Sequence, residues 1–223
     1  MTEMSGGILA IFAHPDDETF GCGGTLALHA EAGHRVGALS LTCSDAERGP
    51  ELRRAAEALG IEEPIIFPEG SIDPTSELIR RVSDVIVDRR PSVVITHLPF
   101  DYHREHRAAH ELVKEAVEWA GHATIYEDAW VVERLLLMEV NTLIPSPHVF
   151  VDVSDVWPRK EAAIGAYASQ LAKFQWGYYQ DFMEKKAELR GTQGGCGYAE
   201  AFLVEPLAKN SPFFPEKATR SLL

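Results

Sequence analysis

From Gly7 to Ala120 the chain alternates short apolar runs with segments of helical periodicity, and this alternation constrains the fold more than any other feature. Residues 7–13 (GILAIFA) form a continuous apolar run of the kind buried on both faces of a sheet. Residues 25–32 read as a helix closed by Gly33, and residues 35–42 as a second strand. An amphipathic helix over 50–59 is closed by Gly60, and a short strand follows over 64–67. A helix over 76–89, a strand over 92–96 and a helix over roughly 106–120 complete the series. Strands and helices alternating at these lengths require βαβ crossovers, hence a parallel sheet covered on both faces. The expected class is α/β, a Rossmann-like three-layer sandwich with a mostly parallel sheet. From about residue 125 the pattern is less regular: strands over 134–140 and 148–153, a helix over 157–173, then an apolar run over 199–204. No repeat or linker interrupts it, and residues 1–223 read as a single domain.

Charge narrows the function. With 34 acidic against 21 basic residues the net charge is -13, which repels phosphate backbones and anionic headgroups. Neither nucleic acid nor a membrane surface is expected as a partner. Cys22, Cys43 and Cys196 are odd in number, far apart and without a CxxC pair, as in reduced cytosolic proteins. The N-terminus lacks the basic region and length of a signal peptide, so the expected location is cytoplasmic.

Two constellations carry chemistry. The first strand runs directly into His14-Pro15-Asp16-Asp17-Glu18, and open α/β sheets bind ligands beyond the carboxyl ends of their strands. Three adjacent acids beside an imidazole repel one another, and a divalent cation relieves that cost. His and Asp are preferred zinc ligands, and Pro15 restrains the turn. Gly21-Cys22-Gly23-Gly24 follows, but Leu26 occupies the sixth position of G-x-G-x-x-G, so a dinucleotide loop is disfavoured. The second constellation, from Asp101 to His110 (DYHREHRAAH), follows the strand 92–96 and His97. His103, His106 and His110 are spaced to share a helix face. His103 and His110 would lie about 10 Å apart along the axis, too far to share one ion. Glu105 precedes His106, so the HExxH arrangement is absent. Spacing alone leaves open which histidines act; His97 ends a strand beside the site, and His110 reads as core-packed.

These residues resemble the LmbE-like or PIG-L-type de-N-acetylases, whose signature AHPDDE followed by Gly-Gly matches Ala13 to Glu18 and Gly23-Gly24. The usual second motif, HPDH, is met by His103-Arg104-Glu105-His106. Lys160 to Gln170 (KEAAIGAYASQ) and Tyr198 to Phe202 (YAEAF) resemble two downstream elements. The resemblance implies removal of an N-acetyl group from an N-acetylglucosamine conjugate or similar small amide. It implies Zn2+, or another divalent ion such as Fe2+, bound by His14, Asp17 and His106 with water at the open position. Asp16 matches the general base, His103 the second catalytic side chain, and Glu18 a supporting acid. It also implies a homo-oligomer, a trimer or hexamer. Glu105 replaces the aspartate expected to orient His103. Arg53, Arg54 and the aromatic stretch from Phe174 to Tyr179 are candidates for substrate contact. Two other readings compete: a metal-dependent hydrolase of a peptide or phosphoester bond, and a non-catalytic Rossmann-like ligand-binding module.

Overall fold

The computed structural model describes residues 6–43, 45–173 and 176–207. Phe174 and Gln175 of the aromatic stretch lie outside it, as do residues 1–5, on which the signal-peptide reading partly rests. In chain order the elements are β1 (Ile8–Phe12), α1 (Asp17–Glu31), β2 (Val36–Thr42), α2 (Arg48–Leu59), β3 (Ile65–Glu69), α3 (Ser76–Arg89), β4 (Val93–Thr96) and α4 (Arg104–Ala120). They continue with β5 (Arg134–Met138), β6 (Val149–Asp152), α5 (Trp157–Gly165), α6 (Ala168–Leu171), α7 (Tyr178–Gly194) and β7 (Ala199–Glu205).

The strands form one seven-stranded sheet of order β3-β2-β1-β4-β5-β7-β6. The first five run parallel, and β7 pairs antiparallel with both β5 and β6. Alternate residues of β1 serve opposite layers. Ile8, Ala10 and Phe12 pack in a core with residues of α1, α2, α5 and α7, while Leu9 and Ile11 pack with α3 and α4. This is the expected three-layer arrangement.

Order within the sheet decides where a ligand can sit. From β1 the chain winds through β2 to β3 on one side, whereas β4 pairs with the other side of β1 in register Ala10↔Ile95. The winding reverses between β1 and β4, which opens a crevice at their carboxyl ends. Both constellations leave the sheet there.

Several boundaries differ from the sequence reading. The first helix begins at Asp17, not at residue 25, so the glycines are helical, with a kink at Cys22 (φ -144°, ψ 15°). Their smallness serves packing. A Cβ on Gly21 would meet Met138 Sδ at 2.6 Å, and one on Gly24 would meet Val153 Cβ at 2.8 Å. The helix expected over 157–173 is broken between α5 and α6, around Tyr167. Helix α7 was not legible, because it buries Lys186 and Arg190 beside Met183 and Ala187 and shows no apolar stripe.

Candidate metal and active site

The turn after β1 is held in an unusual conformation. Asp16 has φ 128°, one of two positive-φ residues other than glycine among those described, a conformation that costs free energy and persists only where its surroundings hold it. Glu18 holds it. Its Oε2 accepts from Asp16 N–H (3.2 Å), while Oε1 accepts from Thr19 Oγ1 (2.6 Å) and from Tyr167 OH (2.5 Å). Glu18 is fully buried, and burial raises its pKa against the hydrogen bonds from Thr19 and Tyr167. It braces the turn through these three hydrogen bonds.

Asp17, the first residue of α1, lies at the centre. Its Oδ2 is 3.3 Å from His14 Nδ1 and 3.4 Å from His97 Nε2, and its Oδ1 is 3.3 Å from His106 Nε2. Burial alone would raise its pKa, but His106 and His97 hold it well below the carboxylate range. Asp16 goes the other way: burial and the charge of Asp17 raise it well above that range, opposed by Arg48. Arg48 Nη2 sits 2.8 Å from Asp16 Oδ2 and also donates to the Pro15 carbonyl.

The second constellation begins a helix. His103 is the N-cap of α4, with Nδ1 accepting from Glu105 N–H at 3.3 Å. Its pKa is lowered by burial and by His106 and His14. His106 is buried one turn on, with Nδ1 3.3 Å from Asp101 Oδ1. Burial lowers its pKa, but Asp17 and Asp101 together raise it to about 10. His97 is fully buried; its Nε2 accepts from Ala13 N–H at 2.9 Å, and burial with the charge of His106 lowers it to about 4.

Three imidazoles thus crowd one buried carboxylate, and the ring of His103 packs against two of them. Ring centroids are 4.0 Å apart for His97 and His106, 4.7 Å for His103 and His106, and 5.5 Å for His14 and His106. Donor atoms of His14, His103 and His106 lie within 4.8 Å of one another, as do those of Asp17, His97 and His106. The set His14, Asp17 and His106 straddles these two groups. Several imidazoles this close cannot all be positively charged, whereas neutral imidazoles with an ionised carboxylate suit a divalent cation. The donor set therefore fits the metal.

The remaining sequence candidates have these partners. Glu105 does not orient His103 through its side chain; Oε2 lies 2.7 Å from His14 Nε2 instead. Arg53 lies on the exposed side of α2, paired with Glu63 at 2.6 Å. Arg48, not Arg53, is the arginine of α2 that reaches the cluster. His110 is buried away from it, with Nε2 3.7 Å from Glu205 Oε2. Sequence reasoning missed Arg48, Asp101 and Tyr167. Asp101 alone had a readable signal, its place two residues before His103 at a strand end. The downstream resemblances also find a place: Lys160 and Glu200 form a buried pair at 2.6 Å, and Glu200 accepts from Gly24 N–H and Thr25 N–H.

Fold and site together define an open α/β protein with a metal-competent His/Asp cluster at its topological switch point. Residues 9–117, just under half of the chain, match the family model described as PIG-L, GlcNAc-PI de-N-acetylase. The chain is 29% identical over 221 residues to the diacetylchitobiose deacetylase of Thermococcus kodakarensis, covering 89% of this chain and 83% of that enzyme. A probable N-acetyl-alpha-D-glucosaminyl L-malate deacetylase 2 of Bacillus anthracis is 29% identical over 74% of this chain and 81% of its own. Among solved structures, a conserved protein of Thermus thermophilus superposes with TM-score 0.82 at 29% identity, covering 92% of this chain and 97% of that one. The 4-carboxy-2-hydroxymuconate hydratase GalB of Pseudomonas putida superposes with TM-score 0.80 at 23% identity, covering 93% and 100%. A hydratase on the same scaffold means that the fold alone does not specify the reaction. Among the described residues no helix is long and apolar enough to cross a membrane.

Proposed function

We propose that this chain is a metal-dependent amidohydrolase that removes the acetyl group from an N-acetylglucosamine conjugate or a similar small acetamide. Its metal ligands are His14, Asp17 and His106, and its general base is Asp16. One observation carries the assignment of roles: of two adjacent carboxylates, Asp17 faces three ring nitrogens within 3.4 Å and is held ionised, whereas Asp16 faces Arg48 at 2.8 Å and is raised in pKa by burial and Asp17. Such a split marks a group that binds cations beside a group that exchanges protons.

The donors sort by what already occupies them. The Nε2 lone pair of His97 is taken by Ala13 N–H, so this nitrogen is not offered to an ion. Nδ1 of His103 is taken by Glu105 N–H, leaving Nε2 to face the substrate as a donor. His14 Nδ1 and His106 Nε2 are the ring nitrogens turned to Asp17. Zinc suits this set, and Fe2+ would also be accommodated. When bound, the ion polarises the acetamide carbonyl and makes water acidic near neutral pH.

The chain's own residues do the rest. Asp16 takes the proton of the attacking water at its carboxylate and returns it to the amide nitrogen as the C–N bond breaks, giving acetate and the free amine. His103, capped at Nδ1, donates from Nε2 to the oxygen on which negative charge develops. Arg48 keeps Asp16 oriented and opposes the rise in its pKa.

The experiment is metal analysis of the purified protein combined with an acetate-release assay over N,N'-diacetylchitobiose and other N-acetylglucosamine conjugates. Acetate release that disappears in Asp16→Ala supports the reading. Full activity in that variant sinks the base assignment. A protein that holds the metal yet releases acetate from none of these substrates points to a different bond.

A further inference from the structure

The acid of the second motif serves the first. Glu105, in the opening turn of α4, turns its carboxylate toward the loop after β1, a contact between residues 91 positions apart. Its Oε2 lies 2.7 Å from His14 Nε2, and its Oε1 accepts from Ile72 N–H at 3.3 Å. His103, two residues away, meets only the backbone N–H of Glu105. One residue therefore ties together α4, the β3–α3 connection and the turn after β1.

The consequence lies in the protons. An ionised carboxylate can only accept, so the bond to Glu105 places a proton on His14 Nε2. In the neutral ring the lone pair then sits on Nδ1, 3.3 Å from Asp17 Oδ2. A lone pair and a carboxylate oxygen facing each other at that distance repel unless a proton or a metal cation lies between them. Carboxylate partners of this kind fix the tautomer and orientation of metal-binding imidazoles.

We infer that Glu105 is a positioning residue for His14, bonding its Nε2–H so that Nδ1 is presented beside Asp17 as the donor to the metal. The inference rests on the ligand set proposed above. It gives the departure from His-Pro-Asp-His a physical meaning. An aspartate at this position is shorter by one carbon, about 1.5 Å, and would not span from α4 to His14 while holding Ile72. The longer side chain exchanges support of the catalytic histidine for support of a ligand.

The test uses the full-length protein. Zinc affinity is measured by chelator competition for wild type, Glu105→Ala, Glu105→Asp and Glu105→Gln, and the tautomer of His14 is read from 15N shifts in the zinc-loaded wild type. The wild type is expected to show the Nε2–H tautomer. Glu105→Ala and Glu105→Asp should each lose about 10–100-fold in zinc affinity. Glu105→Gln, whose amide oxygen still accepts, should lose clearly less than either. An Nδ1–H tautomer in the wild type overturns the inference without any variant having to fold, and so does unchanged zinc affinity in Glu105→Ala. A wild type that binds no zinc sinks the ligand set itself, a separate outcome.

Discussion

Arg48 crosses from the first turn of α2 to place Nη2 2.8 Å from Asp16 Oδ2, which makes an arginine the immediate electrostatic neighbour of the proposed base. Burial and Asp17 raise the pKa of Asp16, and Arg48 opposes them. A general base works only when ionised, so activity should climb as pH rises through its pKa. Arg48→Ala removes the opposing charge and should move that rising limb of the pH profile for kcat/KM to higher pH. Arg53→Ala, on the exposed face of the same helix, should leave the limb in place. A limb unmoved in Arg48→Ala would separate Arg48 from Asp16.

Asp16→Asn should keep the metal and lose the chemistry. The asparagine cannot exchange the proton, and general acid–base catalysis contributes about 10²–10⁴-fold. The expected result is a kcat lower by that order with metal content unchanged. A parallel loss of metal would make Asp16 a ligand rather than a base.

Metal uptake should release protons. His106 carries its proton up to about pH 10 in the metal-free protein, because Asp17 and Asp101 outweigh the opposing effect of burial. A ligand must give up that proton to bind the ion. Apparent zinc affinity should therefore increase between pH 6 and 9, and calorimetry in buffers of differing ionisation enthalpy should show net proton release. The sign reverses for metal-free stability. The folded pKa lies above the unfolded value of 6.5, so the contribution of this group is fully present below pH 6.5. It is lost as pH rises through about 10.

The strut beneath the turn can be tested by itself. Tyr167→Phe removes the hydroxyl that donates to Glu18 at 2.5 Å inside the core. Leaving a buried acceptor short of a partner costs about 1–3 kcal/mol, which denaturant unfolding would measure. Activity should fall too, because Glu18 holds the N–H of Asp16. Unaltered stability would mean that Thr19 alone suffices.

Lys160→Met should be more damaging than its surface-like residue type suggests. Lys160 and Glu200 are both buried, 2.6 Å apart, and Glu200 also caps Gly24 and Thr25. Breaking a buried pair from one side costs about 3–5 kcal/mol, because the other charge is stranded. Lys160→Met combined with Glu200→Gln should recover part of the loss. A single variant as stable as wild type would show that water reaches Glu200.

Local chemistry made much of this protein legible. The spacing of apolar residues from Gly7 to Ala120 gave the βαβ order, since residues near in sequence settle whether a segment is strand or helix. His14-Pro15-Asp16-Asp17 and His103 to His106 announced a cation-binding chemistry through residue type alone. What the chain could not disclose was the set of partners across long separations. Pairing of β4 against β1, with Ala10 opposite Ile95, brings the two motifs to one crevice. It then decides that Glu105 meets His14 and that Asp101 meets His106. The arginine beside Asp16 proved to be Arg48, because the placement of α2 beside the turn, not its residue types, selects which face is turned inward. Helix α7 stayed hidden for a related reason: its buried Lys186 donates to the carbonyls of Phe20, Glu139 and Val140, and a helix that buries charge against distant backbone leaves no periodic trace in its own sequence.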